Sequence, residues 1–190
     1  MTRSQRAQAV PATRDVITED DIDVSGIDDV DGLHRLACEP LVYRYLFDAT
    51  APERDAIADG IARAMADAAR TRLGLWILQS PHVPYGGCVQ LRPDLSAKSA
   101  ELIYLLDPTH WGRGLATRMG WTAITTAFLE PFDVVVAGTD GANGASLAVM
   151  RRLGMRFYRD VRYPLGKGFQ YALARGDPGP KPQPALLAMG

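Results

Sequence analysis

The stretch HWGRGLATRMG, His110 to Gly120, follows the short apolar run Leu102 to Leu106 and opens a helical pattern. Gly112 and Gly114 stand where a strand should give way to a helix. A glycine turn at such a junction aims several backbone N–H groups outward, and the helix dipole adds partial positive charge. The spacing therefore predicts a site for a phosphate or pyrophosphate.

Working outward, Gly114 to Glu130 reads as a helix with Leu115, Met119, Ala123, Ile124 and Phe128 facing inward. Asp133 to Ala137 reads as a short apolar strand of the kind buried in the centre of a sheet. Ala145 to Leu153 is a short helix ended by Gly154, a glycine in the position after the last turn. Arg156 to Tyr163 and Phe169 to Ala174 form a hairpin over PLGKG. Upstream, Leu75 to Gln79, Cys88 to Arg92 and Ala100 to Leu106 read as an antiparallel meander, with turns at Pro81 to Gly87 and Pro93 to Ser99. Before them, Gly32 to Phe47 carries Leu33, Leu36, Ala37 and Leu41 at helical spacing, with a break at Pro40. Pro52 to Arg72 is a second amphipathic helix, lined by Ala56, Ile57, Ile61, Ala64, Met65 and Ala68, with Pro52 in its first turn. Val16 and Ile17 start a short strand. The order of elements describes a mixed α+β domain around one central, mostly antiparallel sheet.

The chain has 190 residues, enough for one domain with a proper core. Residues 1–14 read as a disordered leader, residues 15–175 as the domain, and residues 176–190 as a proline-rich extended tail. A formal net charge of −1 provides no field favouring nucleic acid or an anionic membrane. No apolar run reaches the ~18 residues that a membrane-spanning helix needs. Cys38 and Cys88 form neither a disulfide framework nor a CxxC metal site, which suits a reduced pair in a cytoplasmic protein. His34, His82 and His110 are scattered, so no metal site is expected.

Three ligand classes compete for the glycine loops. A P-loop needs GxxxxGK followed by Ser or Thr, and no such string occurs. A dinucleotide fold needs GxGxxG and an acidic residue roughly 20 positions on. Gly112, Gly114 and Thr117 match it in part, Gly138, Gly141 and Gly144 are spaced differently, and neither loop has the acidic residue. The third class follows from two longer segments, AELIYLLDPTHWGRGLATRMG (Ala100 to Gly120) and NGASLAVMRRLGM (Asn143 to Met155). Together they resemble the GNAT superfamily of acyl-CoA-dependent N-acetyltransferases, and most closely the branch of ribosomal-protein N-terminal alanine acetyltransferases. LVYRYL (Leu41 to Leu46), YGGCVQL (Tyr85 to Leu91) and FQYALAR (Phe169 to Arg175) match in type and order. Trp111 stands where the widespread loop pattern has Gln or Arg, with Gly114 and Ala116 in register. Met150 stands where many members have a tyrosine general acid.

The resemblance implies acetyl transfer from acetyl-CoA to a primary amine, either a protein N-terminus or a small-molecule amine. It implies that Gly112, Arg113, Gly114, Leu115, Ala116 and Thr117 cradle the pyrophosphate. Leu105 and Leu106 would offer backbone groups to the pantetheine arm. Trp111 either packs the loop against the sheet or stacks on the ligand, and Arg113 either meets a phosphate or stays in solvent. Asn143 either holds the cofactor or an ordered water, or makes an Asx turn at its helix entry. Ser146 is the candidate proton donor to the departing thiolate, or else a brace for its helix. Glu101 is the candidate base, or else a salt-bridge partner at the sheet margin. An α-amine, with pKa near 8, is about one-tenth neutral at pH 7 and needs only modest help from a base. A non-catalytic acyl-CoA-binding module is the alternative of a different class. A monomer and a homodimer are both compatible with the sequence.

Overall fold

A computed structural model describes residues 22–23, 30–80 and 83–179. The element order is β1 (Ile22–Asp23), α1 (Val30–Ala37), α2 (Pro40–Leu46), α3 (Arg54–Thr71), β2 (Leu75–Ser80), β3 (Val83–Asp94), β4 (Ser99–Leu106), α4 (Leu115–Leu129), β5 (Val134–Asp140), α5 (Gly144–Arg152), β6 (Arg156–Tyr163) and β7 (Gly166–Ala174). A 3-10 turn, Pro108–His110, joins β4 to the glycine loop. The strands form one sheet in the order β1-β2-β3-β4-β5-β7-β6. Every neighbouring pair is antiparallel except β4 and β5.

Strand alternation sorts the side chains into two cores, because successive residues point to opposite faces. Leu78, Val89, Leu91, Ala100, Leu102 and Leu106 pack with Met119 and Ile124 of α4 and Met150 and Leu153 of α5. Ile77, Cys88 and Leu105 face the other way, onto Leu33 and Leu36 of α1 and Ile57 and Ile61 of α3. Helices on both faces keep the central strands apolar along their length.

The helix break expected at Pro40 is present, with the proline in the first turn of α2. Pro52 differs from its expected place. Glu53 is the N-cap of α3, so the proline precedes the helix. The buried stripe of α3 is Ile57, Ile61 and Ala64, while Met65 is 51% exposed on its flank and Leu41 of α2 is 54% exposed. Ala56 is also exposed. The turn expected over Pro81 to Gly87 is shorter, because β3 begins at Val83. Glycine serves close packing there: a Cβ on Gly87 would lie 2.5 Å from both the Leu105 carbonyl oxygen and Leu106 Cδ2. The strand expected at Val16 and Ile17, the leader and residues 180–190 of the tail lie outside the described residues.

Two features position the site. The first is a divergence of parallel strands. β4 and β5 pair only at Ser99 with Val134, Ala100 with Val135 and Glu101 with Val136. Beyond Glu101 the strands part, and a wedge opens between Leu102–Leu106 and Ala137–Asp140. The second is the tie between the base of this wedge and α4. The Arg175 guanidinium donates to the Glu130 and Phe132 carbonyls at 2.5 and 2.6 Å, and to the Phe128 carbonyl, which closes the last turn of α4.

Candidate functional site

The wedge exposes backbone hydrogen-bonding groups on both of its edges. Asp107 N–H donates to the Gly86 carbonyl at 2.9 Å, so Asp107 turns its backbone to β3. Alternation then directs the backbones of Leu105 and Ile103 to β3, and those of Leu102, Tyr104 and Leu106 into the wedge. On β5, Gly141 N–H donates to the Lys167 carbonyl at 2.9 Å, and Arg175 N–H to the Asp133 carbonyl at 2.8 Å. The backbones of Gly138 and Asp140 therefore face the wedge from the other side. An extended arm with amide groups can hydrogen-bond to both edges as an added strand would.

Leu105 is thus placed otherwise than expected: its side chain is in the α1–α3 core and its backbone serves β3. Tyr104 stands at the wedge instead. Leu106 is at the wedge, but its carbonyl accepts from Trp111 Nε1 at 3.0 Å. This bond makes Trp111 the brace that holds the glycine loop against β4, although the residue is 44% exposed.

The loop itself presents donors. Gly112 and Gly114 have φ of 74° and 77°, the left-handed region that glycine enters without penalty. A Cβ at either position would meet nothing within 4 Å, so the loop faces open space. Gly114 is the N-cap of α4 and provides no side-chain cap. The N–H groups of Leu115, Ala116 and Thr117 therefore lack helical partners and point out along the axis. Arg113 is exposed beside them. Thr117 Oγ1 and His110 Nδ1 are buried near this loop without a hydrogen-bond partner among the described residues. The free N–H groups at the start of α4 are what an anion meets at a helix N-terminus.

The segment Asn143 to Met155 closes the other side. Asn143 Oδ1 accepts from Ser146 N–H at 3.1 Å and caps α5. Ser146 Oγ lies 2.7 Å from the Tyr104 hydroxyl, which also reaches the Ser146 carbonyl at 3.3 Å. Burial pushes the Tyr104 phenol up to about 12, against a smaller lowering by its bond to Ser146. It stays protonated at ordinary pH. Met150 is fully buried in the core and serves packing.

Glu101 sits at the vertex of the wedge, as the last β4 residue paired to β5. Its carboxylate accepts from Arg92 at 2.9 Å across the β3–β4 ladder. Two groups that the sequence did not single out complete this side. Tyr163 lies over Gly138, where a Cβ would come 2.1 Å from its hydroxyl. Partial burial first, and then the charges of Glu101 and Asp140, raise its pKa. Asp140, only 5% exposed at the end of β5, has an Oδ1 with no partner among the described residues. Its pKa is raised, chiefly by burial and then by Asp48. Among the described residues no group of three or more His, Cys, Asp or Glu is placed to hold a metal. None of their helices is long and apolar enough to cross a membrane.

The profile of the acetyltransferase (GNAT) domain matches residues 26–156, more than half of the chain. The chain belongs to the GNAT acetyltransferase family. Solved GNAT structures share its fold. RimL, a ribosomal L7/L12 alpha-N-protein acetyltransferase in complex with coenzyme A, aligns with a TM-score of 0.68 at 16% identity, over 80% of this chain and 92% of that one. Spermidine N-acetyltransferase from Vibrio cholerae, in complex with CoA and spermine, aligns at 0.68 and 14%, over 82% and 95%. The microcin C7 self-immunity acetyltransferase MccE, in complex with acetyl-CoA and AMP, aligns at 0.64 and 16%, over 77% and 87%.

Proposed function

We propose that this protein transfers an acetyl group from acetyl-CoA to a primary amine by direct attack on the thioester, the acceptor being a protein N-terminus or a small-molecule amine. One observation carries the reading: an uncapped helix start, fitted for a pyrophosphate, adjoins a wedge where β4 and β5 part after Glu101 and Val136. Acetyl-CoA brings the activated acetyl group. The chain's own residues bind it and handle the protons.

In this reading the amides of Gly112, Arg113, Gly114, Leu115, Ala116 and Thr117 take the pyrophosphate, with added charge from Arg113. Backbone groups of Tyr104, Leu106 and Gly138 hold the pantetheine arm. Asn143 fixes the first turn of α5, and so fixes Ser146. Tyr104 donates to Ser146 Oγ and leaves the serine proton for the departing sulfur. A thiolate with pKa near 8.5 leaves without a strong acid, so a hydrogen bond suffices where Met150 supplies none. Glu101 is the base, directly or by way of water, and takes the proton that the ammonium must lose before attack. The reaction takes place in the cytoplasm, by a monomer or a homodimer.

The test is release of coenzyme A thiol on mixing the protein and acetyl-CoA with a panel of amines. Amine-dependent release supports the proposal. Tight acetyl-CoA binding with no release for any amine would make the chain a non-catalytic acyl-CoA-binding module instead.

A further inference from the structure

A cavity of 380 Å³ opens beside the wedge, lined by Arg44, Tyr45, Ala49, Asp140, Ala142, Leu165 and Lys167. This volume suits a small molecule or the end of a peptide. Asp140 belongs to both places: its backbone edges the wedge, and the residue lines the cavity. The buried, unpartnered Oδ1 there is costly unless something pairs with it. Asp48, in the loop after α2, adds a second negative charge that acts on Asp140. An ammonium group satisfies both, and its place at Asp140 puts it next to the wedge.

The rest of the lining has the opposite sign. The Arg44 guanidinium lies 5.2 Å over the Tyr45 ring and makes no ion pair among the described residues. Lys167 Nζ is 3.2 Å from Asp160 Oδ2 in a pair exposed on both sides, which is worth little and is easily exchanged. Tyr45, Ala49, Ala142 and Leu165 add apolar wall to the cavity. The loop after α2 is held in an unusual shape, with Asp48 and Ala49 at φ of 53° and 61°. Such conformations persist in non-glycine residues only where the surroundings over-determine them.

We infer that this cavity selects an acceptor carrying both charges: an amino group that meets Asp140, and a carboxylate on the same molecule that meets Arg44 and Lys167. The inference rests on acetyl transfer at the adjoining wedge. A polyamine would bring its second cation against Arg44 and Lys167, a like-charge contact that opposes binding. An amine without an acidic group would leave Arg44 unused. Both a free amino acid and a peptide N-terminus followed by an acidic residue have the required chemistry.

The experiment compares kcat/KM for matched acceptors. One arm uses serine against serinamide. A second uses a Ser-Asp peptide against its Ser-Asn counterpart, both amidated at the C-terminus. Spermidine is the third acceptor class. Acetyl-CoA stabilisation of each protein is measured alongside by thermal melting. The carboxylate member of at least one pair should be favoured by about tenfold or more, and which pair shows it identifies the source. Arg44→Gln should bring that ratio close to one. Asp140→Asn should raise KM by about tenfold for the favoured acceptor and leave the acetyl-CoA shift in place. Equal kcat/KM within both pairs, or a preference for spermidine, overturns the inference. No turnover with an intact acetyl-CoA shift also overturns it. Loss of both turnover and the shift overturns the acetyltransferase reading itself.

Discussion

The Tyr104 hydroxyl lies 2.7 Å from Ser146 Oγ, joining the edge of the strand wedge to the first turn of α5. Neither group is a strong acid, and burial keeps the phenol protonated. In the proposed reaction the pair acts as a donor chain, in which Tyr104 orients Ser146 and Ser146 faces the sulfur. Ser146→Ala and Tyr104→Phe should each lower kcat by about 10- to 100-fold, within the range of positioned proton donors. Acetyl-CoA affinity should change little. The double variant should lose little more than either single one, because the two residues act as a unit. Equal losses in affinity and turnover would make the pair a structural brace.

Gly114 offers a second test, with a different readout. Its φ of 77° forbids a comfortable side chain, while the space outside is open. Gly114→Val should cost about 1–3 kcal/mol through backbone strain and turn the α4 amides away from their ligand. The melting-temperature rise given by acetyl-CoA should fall sharply in this variant. A full rise would remove the loop from the binding site.

The alkaline limb of stability follows from two buried groups. Burial raises the Cys88 thiol from 9.0 to about 12 and the Tyr104 phenol from 10.0 to about 12. Both folded-state values lie above the unfolded ones, so the unfolded chain loses these protons first as pH rises. Their contribution is complete below about pH 9 and is lost progressively toward pH 12. Urea titrations at pH 7, 9 and 10.5 should show falling stability, and Cys88→Ala should flatten that fall. In the native state at pH 8, a thiol reagent should modify Cys38 but not the buried Cys88. Rapid modification of both would contradict the burial of Cys88.

The core beneath the wedge should be sensitive to truncation. Leu153 is fully buried between α4 and the sheet, with its methyl groups against Gly120, where a Cβ would come 2.9 Å from Leu153 Cδ1. Leu153→Ala should cost about 2–5 kcal/mol, read as a lower denaturant midpoint. A cost below about 1 kcal/mol would mean that the α4–α5 contact collapses onto the cavity.

The parts of the site that depend on backbone shape were legible in the sequence. Gly112 and Gly114 are required by left-handed φ, and Asn143 by the cap of α5, so each leaves a local signature. The helix break at Pro40 and the glycine after α5 were legible for the same reason. Pairings set by distant docking were not. Tyr104 and Ser146 are 42 residues apart, and their contact exists only once α5 settles on β4. Asp140 was hidden because β5 runs past its apolar stretch, to a buried carboxylate that local pattern does not foretell. Leu105 does not offer its backbone to the wedge, contrary to what the resemblance implied for a pantetheine arm, because its strand register with β3 commits it to Cys88. Gly87 looked like a turn residue, although its lack of a side chain serves the close approach of β4.

The central claim is that the α4 start and the strand wedge together hold acetyl-CoA. A thermal melt of the full chain with and without acetyl-CoA, with NAD and ATP as controls, tests it most directly. The account predicts a rise of several degrees with acetyl-CoA at concentrations well above its Kd, and none with NAD or ATP. No rise with acetyl-CoA, together with a rise with NAD, would contradict it and return the glycine loop to a dinucleotide ligand.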